Sequence, residues 1–242
     1  KHQNGKVAVR KGVIGEHKIE IQLSQLPPDY KYLNDVMIKN PKSISGFTQI
    51  DHLVITPYGI FVIETKNYQG TIYGGKNRKT WLINGKFKMQ NPLIQNYGHI
   101  QALKGLIDKR YHDHFTSLVT FTKRCTLKID LELRDIASNE MVIYDIYLFE
   151  TIKRKISRAK LTHKDPFIRQ DEIANIYQTL SKANISDPKI REIHNQKIKD
   201  RLSTTAKCVV CQKVVSEKVK KFCLANKRFK GKIYCYEHQK QG

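Results

Sequence analysis

Asp51, Glu64 and Lys66 are the residues whose types and spacing could do chemistry, and the run Thr48–Lys66 that carries them fixes how they meet. It reads as two strands joined by a Thr56-Pro57-Tyr58-Gly59 turn, with proline second and glycine fourth. A simple hairpin about Pro57-Tyr58 pairs residues whose numbers sum to 115. Asp51 then faces Glu64 with Cβ atoms about 5 Å apart. Lys66, two residues on, leaves from the same face. Facing carboxylates repel unless a cation, a proton or a lysine compensates. The three together make a divalent-metal site with a cation beside it, which suits phosphodiester chemistry. The competing interpretation is a buried hairpin whose Glu64 and Lys66 form a salt bridge at its end.

A second cluster closes the chain. Four of the five cysteines fall in the last 35 residues: Cys208, Cys211, Cys223 and Cys235, with His238 three residues after the last. A Cys-x-x-Cys followed by a Cys-x-x-His is a pair of turns, each bringing two ligands to one side of a tetrahedral zinc. Cys208, Cys211, Cys235 and His238 are the expected Zn²⁺ ligands, with Cys223 competing for the fourth place. Disulfides or free thiols are the alternative. No secretory signal opens the chain, and the reducing cytosol this suggests disfavours disulfides. Cys125 stands apart and reads as a buried thiol. Around the cluster, Lys218, Lys220, Lys221, Arg228, Lys230 and Lys232 are interleaved with Phe222, Phe229, Tyr234 and Tyr236. That mix suits phosphate contact with base stacking; a solvated basic face around a small aromatic core is the bland counterpart.

The elements that must position these groups follow from pattern. Residues 11–26 read as an amphipathic helix with Ile19, Leu23 and Leu26 on one side and Glu16 in its first turn, ended by Pro27-Pro28. A first strand runs from Tyr30 to Ile38. The hairpin is apolar on both faces, which calls for cover on both sides and a mixed α/β sheet. Short strands follow over 70–75 and 80–87, with an Asn84-Gly85 turn. Pro92 opens a helix to about Arg110, with Leu93, Tyr97, Ile100, Leu103 and Ile107 as its apolar stripe and Gln95 and His99 on a polar one. Strands over 115–121 and 141–144 and helices over 145–157, 169–182 and 187–202 complete the pattern. His52 points to the face opposite Asp51 and reads as a packing or hydrogen-bonding residue.

Taken together, these residues resemble the nuclease-related domain (NERD) of bacteria, a branch of the PD-(D/E)XK, restriction-endonuclease-like superfamily. The carrying motifs are Gly15-Glu16, Leu33-Asn34-Asp35-Val36, Gln49-Ile50-Asp51-His52 and the run Gly59–Tyr68 with Gly70. Trp81, Asn91-Pro92 and Gln95-Asn96 follow in the family's order. The likeness spans about residues 11–125, and Ile50 stands where the superfamily's name has proline. It implies a restriction-endonuclease-like core, a mixed central sheet flanked by helices. It further implies Asp51, Glu64 and the Thr65 carbonyl as ligands of Mg²⁺ or Mn²⁺, with Glu16 completing the acidic set directly or through water. Lys66 would orient or help deprotonate the attacking water and offset phosphate charge, and Gln95 would hold Lys66 or the phosphate. A solvated acid favouring the helix dipole is the plain alternative for Glu16.

Bulk composition agrees with such a target. The 242 residues carry 44 Lys+Arg against 22 Asp+Glu, a net +22. From Lys197 onward thirteen Lys+Arg oppose three Asp+Glu, a net +10. Such an excess favours polyanions. No apolar run reaches the roughly eighteen residues of a membrane span. The expected organisation is an α/β nuclease-like domain over 1–160, a helical connector over 161–203 and a zinc-stabilised basic module over 204–242. The expected activity is metal-dependent hydrolysis of single- or double-stranded DNA in a bacterial cytoplasm. A catalytically silent DNA-binding or interaction protein on a nuclease scaffold is the alternative.

Overall fold

Three strands form an antiparallel meander: β1 (Lys31–Lys39), β2 (Phe47–Thr56) and β3 (Gly59–Lys66). The computed structural model of the chain describes residues 15–203 and 206–240. Pro57-Tyr58 form the turn, and the Thr56 hydroxyl bridges it, donating to the Gly59 carbonyl at 2.9 Å. Pairing runs from His52↔Ile63 to Thr56↔Gly59, the register that the turn residues dictate.

Two further strand groups follow. One is β4 (Gly70–Tyr73), β5 (Thr80–Ile83) and β6 (Phe87–Gln90); the other is β7 (Phe115–Phe121), β8 (Cys125–Lys128) and β9 (Glu140–Tyr144). The main sheet has the order β1-β2-β3-β7-β9, with β7 parallel to β3 and β9 parallel to β7. A second mixed sheet, β6-β5-β4-β8, continues beyond it. Strand β8 has no counterpart among the expected elements.

Helices cover both faces of the main sheet, as its two apolar faces require. On one lie α1, helical over 15–23, and α3 (Leu148–Thr162), burying Ile19, Leu23, Leu148 and Ile152 against Val54, Phe61 and Ile63. On the other lie α2 (Pro92–Lys104) and α4 (Gln170–Ala183), whose Ile100, Leu103, Ile173, Ile176 and Leu180 meet Leu53, Ile55, Ile60 and Val62. The expected first turn over 11–14 lies outside the described residues. Helix α2 stops at Lys104 rather than Arg110, because Gly105 ends it with its N–H on the Ala102 carbonyl.

The chain divides into two compact units: one reaches Asn40 and resumes over 47–185, the other takes 41–46 and the chain from Ser186. Helix α4 therefore belongs to the first unit rather than to a connector beginning at 161, because its apolar stripe is needed to cover the sheet. The second unit holds α5 (Pro188–Ser203) and α6 (Glu217–Ala225). Ser216 caps α6 by accepting the Val219 N–H.

Candidate metal-dependent active site

Asp51 and Glu64 project to the same face of the hairpin as Leu53 and Val62, the face covered by α2. Glu64 is 2% exposed. Lys66 donates to Glu64 Oε1 and, at 3.1 Å, to Gln95 Oε1. The Gln95 amide in turn donates to Glu64 Oε1 at 2.8 Å, closing a three-residue ring. Asp51 Oδ2 accepts the Thr65 N–H at 2.7 Å, so its carboxyl lies against the end of β3. Burial and the charge of Glu64 push the Asp51 carboxyl well above the usual range, only partly offset by the Thr65 N–H and Lys66. Burial also pushes Glu64 up, but Lys66 and His99 outweigh it and hold that carboxyl below its ordinary value. Lys66 is lowered by burial and raised more strongly by Glu64 and then Asp51, so its ammonium is firmly charged. Glu16 is exposed, yet burial, Asp35 and Glu64 raise its carboxyl, which places it on the rim of the same acidic field. Gly15 before it lies against the Thr65 and Asn67 side chains, fixing α1 at the end of β3.

Sequence reasoning missed two participants. His99, read as part of an exposed polar stripe, is 6% exposed, and its Nε2 meets Glu64 Oε2 at 3.2 Å. Its Nδ1 pairs with the Thr48 hydroxyl at 2.7 Å. Asn96 is also buried and donates to the Val62 carbonyl and Ser117 Oγ, both at 2.8 Å. The buried face of α2 thus mixes Asn96 and His99 with Leu93, Ile100 and Leu103, while Tyr97, expected in the apolar stripe, is exposed. The signal that could have found His99 was its spacing of four from Gln95. His52 does hydrogen-bond on the opposite face, to Asn34 Oδ1 at 2.9 Å, and burial pushes its imidazole down to about 4.

A family model described as the nuclease-related domain, NERD, matches residues 11–122. An uncharacterised Bacillus anthracis protein, pXO1-01, is 34% identical over 188 residues, covering 76% of this chain and 82% of that protein. The chain belongs to the NERD family. A solved structure of a protein of unknown function, AF1548, covers 78% of this chain and 97% of its own at 10% identity and a TM-score of 0.35, too distant to carry any argument.

The donor chemistry of this NERD site fits a hard dication. Two carboxylates and a strand-end carbonyl offer oxygen only, and the repulsion between Asp51 and Glu64 is what a dication would relieve. Among the described residues, only the cysteine–histidine cluster gathers three or more ligand atoms within 4.8 Å of one another, so Glu16, Asp51 and Glu64 do not form so tight a set.

That cluster lies beyond the NERD match and consists of Cys208, Cys211, Cys235 and His238. Cys235 Sγ lies 3.2 Å from His238 Nδ1 and 3.7 Å from Cys211 Sγ, and Cys208 Sγ lies 3.6 Å from His238 Nδ1. Four ligands of this kind at this spacing fit tetrahedral zinc. Burial raises the Cys208 thiol, but backbone N–H groups, that of Cys211 first, together outweigh it and bring the thiol down to about 6. Cys223, the competing ligand, is outside the set: its sulfur accepts the Tyr234 N–H instead. Phe229, expected among the nucleic-acid contacts, is buried against Phe222 and Tyr234, because this small module needs an aromatic core. Lys218, Lys221, Arg228, Lys230 and Lys232 are exposed, Lys220 and Tyr234 half-buried. Cys125 is buried and free, its thiol pushed up to about 11 by burial.

Proposed function

We propose that this protein is a nuclease that hydrolyses DNA phosphodiester bonds with Mg²⁺ or Mn²⁺, its basic zinc module aiding DNA binding. The observation that carries this reading is the ring that Lys66 and Gln95 close around buried Glu64 near the end of β3, with Asp51 bonded beside it to the Thr65 N–H. Asp51, Glu64 and the Thr65 carbonyl would hold the metal, which when bound supplies a Lewis acid and lowers the pKa of water. Lys66, charged and joined to Glu64 and Gln95, is placed to offset phosphate charge as it builds up. Gln95 keeps the ammonium aimed, and Glu16 on the rim acts through water. A water oxygen bonds to phosphorus while the bond to the leaving sugar oxygen breaks; the water's proton passes to solvent, the leaving oxygen takes one up from solvent, and no residue is covalently modified.

The silent-scaffold reading has its own support. Both Glu64 oxygens are engaged by Lys66, Gln95 and His99, and Lys66 must yield one before a cation can take it. Incubation with plasmid, linear and single-stranded DNA separates the two. Cleavage with Mg²⁺ or Mn²⁺ that EDTA abolishes is expected, and Lys66→Ala or Asp51→Ala should remove it while keeping most DNA affinity. Binding without cutting under either metal decides for the scaffold.

A further inference from the structure

Residues 65–107 include seven lysines and arginines and not one aspartate or glutamate. Lys66 is engaged at the acids, and Lys76 pairs with Glu140 at 2.9 Å. Arg78, Lys79, Lys86 and Lys88 are exposed, and among the described residues none of them forms an ion pair. All four lie on, or lead into, the β5–β6 hairpin. Between the last two sits Phe87, 66% exposed, the most exposed aromatic side chain described in the first unit.

The register explains that exposure. Trp81 pairs with Met89 and Ile83 with Phe87, so Phe87 shares a face with buried Trp81 and Met89 but lies one step past the end of the core. The hairpin is also held firmly. Asn84 (φ 52°) and Gly85 (φ 69°) are the two left-handed residues of its Asn-Gly turn, closed by the Lys86 N–H on the Ile83 carbonyl at 3.1 Å. Asn84 Oδ1 accepts the Thr71 N–H at 2.7 Å, and the Asn91 amide donates to the Arg78 carbonyl at 2.8 Å.

Its place in the fold supplies the partner. Strand β4 begins four residues beyond Lys66, and the Thr122 N–H on the Lys66 carbonyl and the Gly70 N–H on the Arg124 carbonyl stitch the two sheets together. The second sheet therefore continues from the end of β3, which carries Glu64 and Lys66. The geometry points to the β5–β6 hairpin as a strand-gripping element: Arg78, Lys79, Lys86 and Lys88 hold the phosphates of a nucleic-acid strand, and Phe87 stacks on an unpaired base. A ring flanked by lysines suits this, since every base offers a π-face and every linkage a charge. An anionic membrane would also meet lysines and a phenylalanine, but continuity with the end of β3 that carries Glu64 and Lys66 favours the polynucleotide. The inference deepens the nuclease reading and rests on it for why a strand should lie beside the acids; binding itself requires no cleavage.

The test uses the full zinc-loaded chain without added Mg²⁺ or Mn²⁺. Labelled single-stranded DNA, single-stranded RNA and blunt duplex DNA are titrated by anisotropy, and phosphatidylserine vesicles by sedimentation. Phe87→Ala should weaken single-strand binding roughly tenfold, and Phe87→Trp should restore it. Lys86→Ala with Lys88→Ala should lower the slope of log affinity against log salt by about 1.4, two phosphate contacts on a single strand. Unchanged emission of Trp81 in the alanine variants, where it is the sole tryptophan, reports that the hairpin still folds. Stronger binding of either the DNA or the RNA strand supports the inference and names the source. Unchanged affinity and slope in the variants overturn it even where the protein cuts DNA, as does vesicle binding without oligonucleotide binding. A chain that responds as expected but never cuts upholds the hairpin and removes the nuclease reading.

Discussion

At the scale of single residues, the site depends on how a buried carboxylate is kept in one orientation. Glu64 Oε1 is held by Lys66 and Gln95, but Oε2 depends on His99, itself held by Thr48. His99→Ala leaves a buried charged oxygen without its donor, so stability should fall by about 1–3 kcal/mol in urea unfolding. Loss of such a supporting contact typically costs 10–100-fold in metal affinity or activity, and cleavage should fall by about that range. His99→Gln, whose amide can still donate, should recover part of both. Equal cleavage by the wild type and His99→Ala would show that Glu64 needs no such support. The contrast between these residues also explains what the sequence could convey. Asp51 and Glu64 were legible because a tight turn and a period of two leave only one register. His99 was not, because a helix that buries Asn96 and His99 beside its leucines breaks the apolar rule by which helix faces are read.

At the scale of elements, α2 joins the acids to the second sheet, and Asn91 is the joint. Its Oδ1 caps the helix by accepting the Leu93 N–H at 2.9 Å, while its amide donates to the Lys76 and Arg78 carbonyls. Asn91→Ala removes both functions and should destabilise by about 2 kcal/mol or more, a lost cap of about 1 kcal/mol plus buried carbonyls left unpaired. Asn91→Asp keeps the cap but loses the amide donors, so it should cost less in stability while still loosening residues 75–79, as amide exchange there would report. If the two variants behave alike, the loop is not held by this side chain. The Asn-Gly turn, the hairpin and most strands of this region were readable from turn chemistry. Strand β8 was not: Cys-Thr-Leu-Lys is only four residues, and its role follows from its parallel pairing with β4, a long-range fact. Helix α4 was read correctly as a helix but assigned to a connector, because an amphipathic stripe shows that a face is buried and not against what.

At the scale of the whole molecule, two units rely on different sources of stability. The first has three apolar clusters gathered on two sheets, whereas the cluster identified in the second centres on Cys208, Val215 and Cys235. Two of those three are metal-ligand candidates, so the apolar contribution there is small, and a zinc held by the cluster would supply most of the folding free energy. Structural zinc in small modules contributes about 10–16 kcal/mol of apparent binding energy at neutral pH, far more than so few buried side chains can offer. Chelation should therefore collapse amide-exchange protection across 206–240 while leaving the first unit folded. Trp81, the only tryptophan and buried in the first unit, provides the internal control: its emission should not change as zinc leaves, and protection in the second unit should return when zinc is restored. Metal analysis finding no zinc in the purified chain, or a chelated chain that keeps its protection over 206–240, would mean that the cysteines and histidine sit together for another reason. The same treatment should weaken DNA binding in proportion to the positive charge that the folded module aligns, because lysines on an unfolded segment still attract phosphate but no longer present it with a fixed surface.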